Sequence, residues 1–129
     1  MSRPQADSET QRYREKCSKI LAISPRIRYA GMMNNFGRTL AGALRKGVVP
    51  LLRQDEARNE YFIEASRSQL RKNFERSIGR TEYTFTENEK VKILTIASKE
   101  HFYYVTMDKD TPANDVAKII EAARDLISK

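Results

Sequence analysis

A stretch free of glycine and proline, Leu52 to Ser77, dominates the middle of the chain. Ile63, Leu70 and Phe74 in it, and Ile78 just after it, recur at helical spacing, with Ser66 and Ser77 on the same side; Tyr61, Phe62 and Ala65 widen the stripe. The pattern predicts one long helix of about seven turns, at ~3.6 residues each. Ile78-Gly79 marks its end, because glycine accepts the left-handed backbone that closes helices.

Strand patterns flank it. Ile27 to Met33 predicts a strand with Ile27, Tyr29, Gly31 and Met33 on one face. Asn34-Asn35-Phe36-Gly37 tolerates positive φ and predicts a hairpin turn, with Arg38 to Leu44 as the return strand. The small residues Ala30, Gly31, Ala41 and Gly42 imply that something packs close to this hairpin. After the long helix, Thr81–Thr86, Val91–Ala97 and His101–Met107 predict three strands joined by short polar turns, an antiparallel meander.

Two further helices bracket the chain. Residues 1–7 read as a flexible N-terminal tail. The first helix is expected from Asp7 or Ser8, with Tyr13, Cys17, Ile20 and Leu21 as its apolar stripe and Pro25 as its stop. At the other end Thr111 is placed to cap, with Pro112 at the first helical position, and Val116, Ile119, Ile120, Ala123 and Ile127 form the buried stripe. The order is helix, two strands, long helix, three strands, helix. It predicts an α+β fold with a five-stranded antiparallel sheet, a single domain over residues 8–129.

Charge and reactive side chains narrow the function. The chain carries a net +7. Residues 1–30 hold seven basic and three acidic side chains, residues 31–80 ten and five, and residues 81–129 seven and nine. The basic character therefore sits before residue 81, which favours an acidic or phosphate-bearing partner. One Cys and one His exclude a disulfide framework and a Cys/His zinc cage. No Gly-rich phosphate cradle of either common type occurs. A general base would have to be His101, which opens a strand with no second histidine to work with. No catalytic, cofactor or metal site is expected, and so no enzyme. Cys17 lies on an apolar stripe and reads as a structural thiol. No apolar run can span a membrane, and a free thiol without an export signal predicts a cytoplasmic chain.

Arg67, Arg71, Lys72, Arg76 and Arg80 line the end of the long helix, with Glu75 as the one acid among residues 66–80. They form either a solvated face that suits a helix C-terminus or a contact surface for an acidic protein or phosphates.

Ile27-Arg28-Tyr29-Ala30-Gly31, the turn Asn34-Asn35-Phe36-Gly37, and Leu40-Ala41-Gly42 resemble the first hairpin of the roadblock/dynein-light-chain family, as does the element order. The resemblance is closer still to small archaeal (thaumarchaeal) proteins related to that family, and it covers about residues 8–128. The chain departs from the family in the loop Arg45 to Leu51 and in the basic character of its second helix. The resemblance implies a non-catalytic, cytoplasmic regulatory or scaffold module of roadblock/profilin-like fold. It implies a homodimer through the second helix and third strand, here Ile63, Ser66, Leu70, Phe74, Tyr83 and Phe85. A small Ras-like GTPase or another acidic protein is the implied partner, with no cofactor. Two alternatives stand beside it: a small-molecule sensor lined by Tyr29, Met33 and Leu40, and a basic nucleic-acid-binding protein.

Overall fold

A computed structural model describes the backbone of residues 4–129 and the side chains of residues 8–129. Its elements are α1 (Pro4–Leu21), β1 (Ile27–Asn34), β2 (Thr39–Leu44), α2 (Gln54–Arg71), a 3-10 turn (Lys72–Phe74), α3 (Glu75–Ile78), β3 (Tyr83–Glu87), β4 (Val91–Ala97), β5 (His101–Asp108) and α4 (Ala113–Ser128). The five strands form one antiparallel sheet in the order β2-β1-β5-β4-β3. This is the expected α+β architecture, with β5 at the centre and β2 and β3 at the edges.

Helices cover both faces. Cys17 and Ile20 of α1, with Val116, Ile119 and Ala123 of α4, bury against Ala30, Met32, Leu94, Val105 and Met107. On the other face Ala65 of α2 packs with Met33, Ile93, Phe102 and Tyr104, joined by Tyr29, Tyr61 and Val91. The guanidinium of Arg45 ties the first hairpin to the end of α1: it donates to the carbonyls of Leu21, Ser24 (2.8 Å) and Ile27 (2.6 Å). Those carbonyls follow the last turn of α1 or end it, where helix carbonyls lack partners of their own.

Several expectations change. Helix α1 begins at Pro4, upstream of Asp7, so residues 4–7 of the expected tail are helical; residues 1–3 lie outside the described residues. Ile27 does not share a face with Tyr29 and Met33. The register of β1 against β5 shifts between Ile27 and Tyr29, and such a bulge adds a residue and reverses the alternation. Ile27 therefore joins the α1/α4 cluster, Tyr29 and Met33 the α2 side. The long helix is not continuous: it tightens at Lys72–Phe74, around Asn73, a residue type that competes for local backbone hydrogen bonds. Gly79 does end it, at φ +85°. Thr111 does not cap α4; its hydroxyl donates back to the Asp108 carbonyl at 2.6 Å, and Pro112 takes the cap position.

Tyr29 is what packs close to the first hairpin. Its ring lies over the paired Gly31 and Gly42, where a Cβ on Gly31 would come within 2.7 Å of Tyr29 Cε2.

Candidate functional site

The register along β1, β4 and β5 places Tyr29, Val91, Ile93 and Tyr104 on the sheet face beneath α2. Helix α2 rests on that face through Tyr61 and Ala65. The loop after β2 rises beside it. Between them lies a groove of about 800 Å³. Gln54, Glu60, Glu64 and Arg67 of α2 line one wall, and Leu44, Val48, Leu51 and Leu52 the other.

The interior is polar in a specific way. Tyr104 Oη donates to Glu60 Oε2 at 2.7 Å, and Thr95 Oγ1 donates to Glu64 Oε2 at 3.4 Å. The rings of Tyr61 and Tyr104 meet edge to face, with centroids 5.0 Å apart. Burial holds the Tyr104 phenol far above its usual value, and the bond to Glu60 adds to this. Tyr29 is raised in the same way, first by burial and then by Tyr61. Glu64 is 6% exposed, and desolvation lifts its carboxyl above the usual carboxylate range. Arg67, 3.6 Å away, opposes that shift, Glu60 reinforces it, and Thr95 opposes it.

The expected dimer residues fall in two places. Ile63 and Leu70 of α2 and Phe74 of the 3-10 turn that follows share a solvent-facing stripe and are 54%, 65% and 50% exposed, so this stripe is not part of the chain's own core. Ser66 is half-buried between it and Ala65. Tyr83 and Phe85 do not join the stripe. Phe85 packs on the α1/α4 cluster and the Arg124 guanidinium lies 5.3 Å over the Tyr83 ring, so both side chains occupy the α4 side of the sheet. Strict alternation then gives the α2 side to Thr84 and Thr86.

The basic group is spread in the same region. Arg67 pairs with Glu64, and Arg71 lies 5.2 Å over the Phe74 ring. Lys72, Arg76 and Arg80 are exposed and make no ion pair among the described residues. His101 opens β5 and packs edge-on to Tyr13 of α1 with centroids 5.6 Å apart, and it does not line the groove. Cys17 is fully buried, which pushes its thiol up to about 11. Of the expected sensor lining, Tyr29 reaches the groove; Met33 is buried in the core beneath α2 and Leu40 lies outside the groove. Sequence reasoning missed Glu60 and Glu64. Their one signal was two acids spaced four apart on the long helix.

Among the described residues, no group of three or more His, Cys, Asp and Glu side chains could hold a metal ion, and no helix is long and apolar enough to cross a membrane.

No curated protein matches the chain in sequence. Solved structures do match in shape. The gliding protein MglB from Thermus thermophilus is 16% identical, with a TM-score of 0.73 over 92% of this chain and 87% of that one. A roadblock/LC7 domain from Streptomyces avermitilis is 11% identical, with a TM-score of 0.59 over 90% and 98%. Schizosaccharomyces pombe profilin is 16% identical, with a TM-score of 0.61 over 90% and 96%. These likenesses show a roadblock/profilin-like fold. In sequence, residues 6–125 match the model of one family, and the chain belongs to it: the family of unknown function DUF6659.

Proposed function

We propose that the chain is a non-catalytic interaction module that works as a homodimer. The observation that carries this reading is the uncovered stripe Ile63, Leu70 and Phe74 along α2 and the 3-10 turn that extends it, over a sheet with β3 as one of its two edges. Large apolar side chains left exposed in a row favour a partner surface. An edge strand offers unpaired backbone groups that a second chain can pair. A second copy satisfies both at once, because antiparallel pairing of β3 with its own copy is self-complementary under a two-fold axis. In this arrangement the β3 backbone and the α2 stripe form the contact, while the Tyr83 and Phe85 rings stay on the α4 side.

The exposed Lys72, Arg76 and Arg80, with Arg67 and Arg71, then border the stripe as a contact surface for an acidic partner protein. By fold resemblance that partner is a small Ras-like GTPase. Nucleic acid is the less favoured occupant of the same surface.

Sedimentation at micromolar concentration tests the assembly. A dimer is expected, and a clean monomer near 14.9 kDa overturns the reading. Phe74→Asp sharpens it. Phe74 is half-exposed, so an aspartate there is solvated in the single chain and should leave its fold intact, while burying a charge in the dimer. A folded monomer is the expected outcome; an unchanged dimer places the interface elsewhere.

A further inference from the structure

The groove under α2 has a charge inventory that does not close. Arg28 at its rim is occupied: it pairs with Asp108 at 3.6 Å and donates to the Val49 carbonyl at 3.0 Å. Arg67 is taken by Glu64 and Glu56 by Arg53, each at 3.6 Å. Glu60 is the one groove carboxylate with no cationic partner among the described residues, and its bond from the Tyr104 phenol is neutral. It therefore stands as an uncompensated negative charge, one turn from the buried Glu64, in a chain of net +7.

The surroundings of Glu60 select the shape of what could compensate it. Tyr61 stands next to it, its half-buried ring edge-to-face with the buried Tyr104, and offers an aromatic surface to which organic cations are drawn. Across the groove the loop after β2 presents Val48, Leu51 and Leu52, a wall with no charge of its own. A volume of about 800 Å³ lies within the range of small-ligand sites, roughly 300–1,000 Å³. The space is thus large enough for a small molecule with a charged end and an apolar body.

We infer that this groove binds a small organic cation, an amine or quaternary ammonium, with its nitrogen against the Glu60 carboxylate and its apolar body against Val48, Leu51 and Leu52. Every residue named in the site belongs to one chain, and Ile63 of the proposed dimer stripe lies at its edge.

Titration of the full chain, followed by backbone amide NMR, tests the inference. The probes are phenethylammonium and benzyltrimethylammonium, with 2-phenylethanol as the neutral counterpart of the first. The expected result is saturable shifts confined to residues 48–52, 56–64 and 104 for at least one ammonium at up to roughly 10 mM, a range that detects millimolar binding, with a clearly weaker response to the alcohol. Glu60→Gln keeps an acceptor for Tyr104 and should weaken ammonium binding by about tenfold, the scale of one lost charge-assisted contact. Leu51→Lys sits on the exposed opposite wall, leaves the core alone and should weaken it as well. The inference is overturned if neither ammonium shifts these amides, if the alcohol binds as tightly, or if the folded variants bind as the parent chain does.

Discussion

The phenol of Tyr104, on the central strand, donates to Glu60 Oε2 on α2 across 2.7 Å, and this bond spans 44 residues of sequence. It joins the middle of the sheet to the helix that roofs the groove, and it fixes the position of the groove's unpaired carboxylate. The charge of Glu60 is tolerable in a half-buried place because the phenol faces it.

Replacing that phenol should therefore be felt in stability. Tyr104→Phe leaves the carboxylate without its donor. Hydrogen bonds to charged groups contribute about 1.5–3 kcal/mol, and the half-buried position of Glu60 puts the expected loss at the lower end. Urea denaturation measures it; a variant as stable as the parent would show that water replaces the phenol at no cost.

Glu64 makes stability depend on pH with a definite sign. Its carboxyl is raised in the folded chain, so the folded state holds that proton more tightly than the unfolded state does. Its stabilising contribution is full below the unfolded carboxylate value, ~4.3, and is lost as pH rises through the folded value. Glu64→Gln removes this dependence. Relative to the parent, the variant should gain stability as pH rises from about 4 to 7. A constant difference across that window would contradict the burial of Glu64.

Cys17 should be silent toward thiol reagents in the native protein. It is fully buried, and its thiol is pushed up to about 11, so thiolate is scarce and inaccessible near neutrality. Labelling at about pH 8 should follow the opening of the α1/α4 cluster and accelerate with denaturant. Rapid labelling of the folded chain would place α1 differently.

Gly37 is where the hairpin turn meets α2. Its φ is +86°, and a Cβ there would lie 2.7 Å from the Tyr61 carbonyl oxygen. Backbone of that sign costs a non-glycine residue roughly 1–2 kcal/mol before any clash is counted. Gly37→Ala should lower stability by at least about 1 kcal/mol and disturb the amides of Tyr61 and Phe62. Gly47→Ala has an unfavourable φ as well, +84°, but open space around it, and separates conformational cost from contact.

Much of this fold is written locally. The stripes Cys17/Ile20 and Val116/Ile119/Ala123 recur at helical spacing and are the ones that bury. The turns Asn34–Gly37 and Ile78-Gly79 carry glycines whose positive φ is observed. Elsewhere local pattern leaves the covering partner open. The stripe Ile63, Leu70 and Phe74 has the spacing of a core face and is solvent-facing, because spacing reports that a face is apolar and not what covers it. Tyr83 and Phe85 alternate correctly, yet alternation does not say which side of the sheet α2 will take.

What the sequence by itself determined is the inventory and order of elements, the charge polarity, and the residues able to turn the chain, since each depends on neighbours within a few positions. The tertiary structure alone decided which side of the sheet each strand residue and α2 would take. One bulge after Ile27 reverses the alternation of β1, and one docking choice by α2 brings Glu60 to Tyr104. These are contacts between residues dozens of positions apart, settled by how the sheet and helices pack against each other, and no local spacing encodes them.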